Sequence, residues 1–142
     1  MNPSWVVDTN VIVSGLITRN HEAAVCRILD GMLDGAFAFV LSPELLAEYR
    51  QVLIRPAVAR YHGRTTGEID LLLQHLVANA IWREPPSGPK APDAGDDHLW
   101  AILASVPGTR LVTGDRLLSA KPPSFTQVLS PAEFLQRNPI SR

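Results

Sequence analysis

Residues 4–16 read SWVVDTNVIVSGL. Ser4 to Val7 is a short run rich in β-forming residues, and a carboxylate, Asp8, ends it. Thr9 and Asn10 follow, and from Asn10 to Leu16 a second apolar run reads as a short helix. A buried strand that runs into an acid and then a helix is how an alternating α/β chain begins. A carboxylate between two apolar runs is costly unless hydrogen bonds or charge meet it. The question posed by this stretch is what meets Asp8.

The alternation continues outward from it. Asn20 is expected to cap a second helix that ends near Gly35, and Ala36–Leu41 (AFAFVL) reads as a second strand. SPELLAEYRQVL opens with Ser42 as N-cap, Pro43 at the first helical position and Glu44 in the first turn. Thr65–Ala80 is expected to be a helix and Ile81–Arg83 a short strand. The helix Asp96–Val106 is stopped by Pro107-Gly108, Thr109–Thr113 is a strand leading to Gly114-Asp115, and FTQVLS is a last strand. A final helix begins at Ser130-Pro131. Strands separated by helices argue for a parallel sheet covered on both faces.

Composition narrows the class. The 142 residues suit one domain, residues 1–142, with 46% hydrophobic and 19% charged residues, a balance of globular rather than disordered chains. A formal net charge of −1 excludes a strongly basic nucleic-acid coat, although 11 of the 13 basic residues are Arg, the better phosphate fork. The single cysteine, Cys26, has no internal disulfide partner and reads as a small core residue. No signal-peptide pattern and no run of about 18 apolar residues appears, so a cytoplasmic protein is expected. The Pro-rich stretch from Glu84 to Asp97 reads as a surface loop. Trp5, Trp82 and Trp100 are expected to pack rather than to stack on bases.

In parallel α/β sheets, sites form outside the carboxyl ends of the strands. Asp8 and Asp115 both follow strands and belong to that edge. Glu48 lies about 60° from Leu45 on its helix, at the flank of the apolar face. Asp97 opens a helix whose apolar face includes Trp100, Ala101 and Ala104, and so points inward; Asp96 lies about 100° away. Each acid alone has an ordinary role: Asp8 or Asp97 as a helix cap, Glu48 as a solvated helix acid, Asp115 as a turn residue. Together they are a different object. Two like charges 4 Å apart repel by roughly 4 kcal/mol at an effective dielectric near 20, so either some are protonated or cations join them. Oxygen ligands suit Mg²⁺ or Mn²⁺, and the four histidines show no zinc-ligand spacing. Cations held there could bind a phosphodiester and activate water. Arg50, Arg55, Arg60 and Arg64 follow Glu48 and are candidates either for steering a nucleic-acid backbone or for a solvated helix face.

The stretches VVDTNVIVSGL, LSPELLAEYRQVL, DDHLWAILA and LVTGDRLL, in this order over nearly the whole chain, resemble the PIN-domain family of metal-dependent ribonucleases. That family includes the VapC-like toxins of toxin–antitoxin pairs, and the resemblance is to the branch of such toxin components. It implies a three-layer α/β/α domain with a parallel sheet of four or five strands in the order 3-2-1-4-5. It implies that Asp8, Glu48, Asp97 and Asp115 form an acidic site for Mg²⁺ or Mn²⁺. Asn10 and Thr113 would orient carboxylates or water. Asp96 competes with Asp97 for the third position; the spacing to Leu99, Trp100 and Ala101 favours Asp97, and Asp93 is a weaker neighbour. RNA is the implied substrate, with Arg50 and Arg55 as candidate contacts. An antitoxin and a second copy of the chain are the implied partners. Two other readings compete. A haloacid dehalogenase-type phosphohydrolase would want a second Asp where Asn10 stands and a lysine drawn from only Lys90 and Lys121. A PIN-fold RNA-binding or regulatory module would use the same fold without catalysis.

Overall fold

The structure, a computed structural model, describes residues 3–120 and 122–140. Lys121 lies outside them. The first strand, β1 (Trp5–Val7), is buried at all three positions, which requires cover on both faces. Helix α1 (Thr9–Ile17) follows at once, with Asp8 as its N-cap. Helix α2 (Ala24–Asp34) ends at Gly35, whose φ of 68° places it in the left-handed region that glycine enters without steric cost. Asn20 does not cap α2. Its side chain accepts from the Glu22 backbone N–H in a turn ahead of the helix, and Ala23 holds the cap position. Gly15 of α1 lies so close to α2 that a Cβ there would come 2.7 Å from the Val25 carbonyl oxygen, which sets how tightly the two helices meet.

Strand β2 (Val40–Leu41) is shorter than expected from AFAFVL, although Phe39 adds one isolated bridge to Trp5. Helix α3 (Pro43–Leu53) starts as the sequence dictates: Ser42 Oγ accepts from the Leu45 N–H at 3.1 Å and Pro43 needs no partner for a missing donor. Helices α4 (Pro56–His62) and α5 (Thr66–Asn79) come next, and a reciprocal capping box between Thr65 and Glu68 opens α5. After β3 (Ile81–Trp82), the Pro-rich loop leads through a 3-10 turn (Ala94–Asp96) into α6 (Asp97–Ser105). The chain finishes with β4 (Arg110–Val112), α7 (Arg116–Ala120), β5 (Val128–Leu129) and α8 (Pro131–Arg137), the last opened by a Ser130–Glu133 capping box. Helices α4 and α7 add to those expected from the sequence.

Strands β1, β4 and β5 form one parallel sheet, with Val7 opposite Val112 and Val112 opposite Leu129. Strands β2 and β3 form a second parallel pair. The Trp5–Phe39 bridge, with the Trp5 N–H donating to the Ala38 carbonyl at 3.0 Å, sets the pair beside β1. The spatial order is therefore 3-2-1-4-5, in two hydrogen-bonded units rather than one continuous sheet. Eight α-helices among the described residues and this parallel arrangement give the α/β architecture expected. The core holds Trp5, Phe39, Tyr49 and Phe134, all fully buried, and Trp100 nearly so. Trp82 departs from the expected packing role, at 38% exposed. Among the described residues no helix is long and apolar enough to cross a membrane.

Candidate active site

The carboxyl ends of β1 and β4 are adjacent because the strands are parallel and in register, and this brings Asp8 beside Thr113. Asp8 is 6% exposed. Its backbone N–H continues the ladder to the Val112 carbonyl at 2.9 Å. Its side chain is met by protein donors: the Thr9 N–H at 2.8 Å on Oδ1, and the Thr113 hydroxyl at 2.7 Å and Asn10 Nδ2 at 3.2 Å on Oδ2. These hydrogen bonds are the first part of what the opening carboxylate requires. They do not fully offset burial, which raises its pKa above the ordinary value, with Glu48 and Asp115 adding repulsion.

Asn10 and Thr113 tie the two strand ends into one unit. Asn10 Nδ2 also reaches Thr113 Oγ1 at 3.2 Å, and its Oδ1 accepts from the Gly114 N–H at 2.9 Å. Thr113 Oγ1 in turn accepts from the Asp115 N–H at 3.0 Å. The position of Asp115 is thus fixed by the same hydroxyl that holds Asp8.

Glu48 arrives from α3, and the Thr9 hydroxyl donates to its Oε2. The neighbouring Tyr49 turns the other way, donating its hydroxyl to the Val7 carbonyl and pinning α3 to the end of β1. Burial raises the Tyr49 pKa, and Asp8 and Glu48 push in the same direction, so it remains a neutral donor.

The adjacent acids Asp96 and Asp97 take different places, and not those that helical spacing alone suggests. Asp97 Oδ1 accepts from the Ala91 N–H at 2.8 Å, which ties the Pro-rich loop to the start of α6. Asp96 faces the other carboxylates. Its pKa is pushed up to about 6, first by burial, then by repulsion from Asp8, Asp93 and Glu48, with His98 pulling it down. The 3-10 turn before α6 is the reason: it rotates Asp96 out of the helical phase from which the inward direction of Asp97 is inferred. Asp93 Oδ1 accepts from the Gly95 N–H at 2.9 Å and shapes that turn.

Asp96 gives a test of this arrangement in the metal-free protein. Its folded-state pKa lies above the ordinary 3.8, so its contribution to stability is fully present below that value and is lost as pH rises through about 6. Asp96→Asn is therefore expected to melt higher than wild type at pH 7.5 in chelator, with the gap closing towards pH 4. Thermal melts across that range check it, and parallel curves for the two proteins would refute it.

The arginines after Glu48 each have a local environment of their own. Arg50 pairs with Asp70, Nε to Oδ1 at 2.8 Å, in an apolar groove of about 630 Å³ between α3 and α5. Arg60 lies over the Tyr61 ring at 4.9 Å, Arg64 lines a separate cleft with Glu68, and Arg55 is exposed at the start of α4. They do not form one basic stripe leading to the acids. A cleft of about 290 Å³ reaches one of the acids, Asp115, and is lined also by Asn10, Ser14, Gly114 and Pro131.

The donor set is chemically suited to a hard divalent cation: carboxylate oxygens of Asp8, Glu48, Asp96 and Asp115, with repulsion that a cation would relieve. It is gathered rather than closed, since among the described residues no three His, Cys, Asp or Glu side chains stand in metal-ligand geometry. His98, beside Glu48, carries no local sequence signal, because no metal-ligand spacing accompanies it. A family model described as PIN domain matches residues 4–117, a span that contains all of these residues. No curated protein matches the chain.

Proposed function

The chain belongs to the PIN-domain family, and from that premise we propose that it is a metal-dependent endoribonuclease, the toxin of a toxin–antitoxin pair. The observation that carries the reading is the convergence of Asp8, Glu48, Asp96 and Asp115 at one strand edge, where Glu48 and Asp115 help to raise the Asp8 pKa and Asp8 and Glu48 help to raise that of Asp96. A structural cluster would be expected to carry matching Lys or Arg partners, whereas Asp8 is met by neutral donors only.

Asp8, Asp96 and Asp115 would hold Mg²⁺ or Mn²⁺, with Glu48 beside them. When bound, such a cation supplies a Lewis acid that screens phosphate charge and lowers the pKa of water. Thr113 and Asn10 fix the Asp8 carboxylate through Oδ2. The Thr9 hydroxyl donates to Glu48 Oε2, and His98 Nε2 stands 3.5 Å from Oε1. A phosphodiester strand would approach along the cleft beside Asn10, Gly114 and Asp115, where position 114 is exposed and carries no side chain. Hydrolysis would leave a 5′-phosphate and a 3′-hydroxyl.

The test is cleavage of single-stranded and structured RNA with Mn²⁺, with Mg²⁺ and with chelator, alongside thermal melting. Cleavage confined to the metal arms is expected. The same ions should raise Tm, since a ligand at 100 times its Kd stabilises by about 2.7 kcal/mol. If saturating Mn²⁺ gives no cleavage and no melting shift, the reading is overturned.

A further inference from the structure

Glu48 is approached from two sides by two different helices. Thr9, the first residue of α1, donates to Oε2, and His98, the second residue of α6, places Nε2 3.5 Å from Oε1. The other ring nitrogen of His98, Nδ1, is buried and has no hydrogen-bond partner among the described residues. A neutral imidazole carries one N–H and one lone pair. A lone pair facing a carboxylate is repelled, and an N–H buried without an acceptor loses its hydration. Both costs are avoided by one tautomer only, with the proton on Nε2 towards Glu48 and the lone pair on Nδ1.

We propose that His98 is a positioning residue for the metal site, its Nε2–H fixing the Glu48 carboxylate against α6 so that Glu48 and Asp96 face the same cation. This rests on the nuclease reading above. The adjacency of His98 to Asp96 in sequence makes the link direct: the short turn that presents Asp96 also presents the ring that holds Glu48. A merely packing histidine would not care which ring nitrogen carries the proton, nor whether its replacement can donate from that point.

Glutamine can place an amide N–H near the Nε2 position, asparagine reaches only as far as Nδ1, and leucine keeps bulk without any donor. Calorimetry with Mn²⁺ on the full chain is therefore expected to give wild type and His98→Gln affinities within about threefold of each other. His98→Asn and His98→Leu should bind roughly 10- to 100-fold more weakly, the range for loss of a partner that orients a ligand. On RNA, kcat should fall in the same order with KM little changed. In metal-free protein at pH 8, imidazole nitrogen NMR should show the Nε2–H tautomer. If wild type binds Mn²⁺ and His98→Leu binds equally well, or if His98→Gln is as weak as His98→Leu, the inference is overturned while the nuclease reading stands. An Nδ1–H tautomer also overturns it. If wild type itself binds no Mn²⁺, it is the nuclease reading that fails. Should His98→Leu not fold, the Asn and Gln pair decides.

Discussion

Asp8→Asn is expected to abolish RNA hydrolysis, lowering kcat/KM by about a thousandfold or more, equivalent to roughly 4 kcal/mol of transition-state stabilisation. The substitution keeps the acceptor for the Thr9 N–H and removes the charge. It also sets an amide against Asn10 Nδ2, one of the two donors that now meet Oδ2. Fold stability should nevertheless hold in chelator, because the buried charge and its repulsion with Glu48 and Asp115 disappear together with the Asn10 hydrogen bond. The Mn²⁺-induced rise in Tm should vanish. Paired cleavage and melting assays read both effects, and a variant that cleaves at a tenth of the wild-type rate or better would remove Asp8 from the site.

The second large effect lies three residues earlier and has the opposite character. Trp5→Ala should cost about 4 kcal/mol of stability and lower Tm by roughly 10–15 °C. Trp5 is 1% exposed, meets the Phe134 ring edge-on with centroids 4.8 Å apart, and lies under the Arg110 guanidinium at 5.6 Å. Its removal leaves a cavity where β1, α8 and the Phe39 bridge converge. Urea unfolding should show a lower midpoint with an unchanged slope. A loss below 1 kcal/mol would mean that the core closes over the gap. Asp8→Asn and Trp5→Ala thus separate the two ends of one short strand, the first expected to act on cleavage and the second on stability.

Much of this was legible in the residues. The Ser42-Pro43 and Ser130-Pro131 starts, the Gly35 stop and the strand-to-acid steps at Asp8 and Thr113–Asp115 are local signals whose physics needs no tertiary information. The placement of Asp8 and Asp115 at one edge follows from parallel strands alone. The extent of β2 was not legible, because β-propensity does not say where a neighbouring strand ends. Helix α4 is not foreseen although Pro56 opens it and Gly63, with φ of 68°, closes it, because Arg55, Arg60 and Arg64 in and around it read as a charge cluster. The choice between Asp96 and Asp97 turned on one 3-10 turn. Helical phase assumes 100° per residue, and a tighter turn immediately before the helix breaks that assumption at the residue in question. His98 was invisible for a different reason: its role depends on Glu48, fifty positions away, and no local spacing encodes that meeting.

The Pro-rich loop looks from its composition like slack, yet it is moored at two points. Asp97 accepts from the Ala91 N–H, and Gly88 lies so near α6 that a Cβ would come 2.7 Å from the Ala101 Cα. The segment therefore divides into a stretch that tolerates added length and a stretch that does not. A linker or tag spliced at Pro85-Pro86 lengthens chain ahead of both moorings. One spliced at Pro89-Lys90 parts them, and the strain passes through Asp97 to its neighbour in the acidic edge. For this protein the boundary between permissive and forbidden insertion runs through a single glycine, and an engineer choosing where to attach a reporter would find it there rather than at the loop's midpoint.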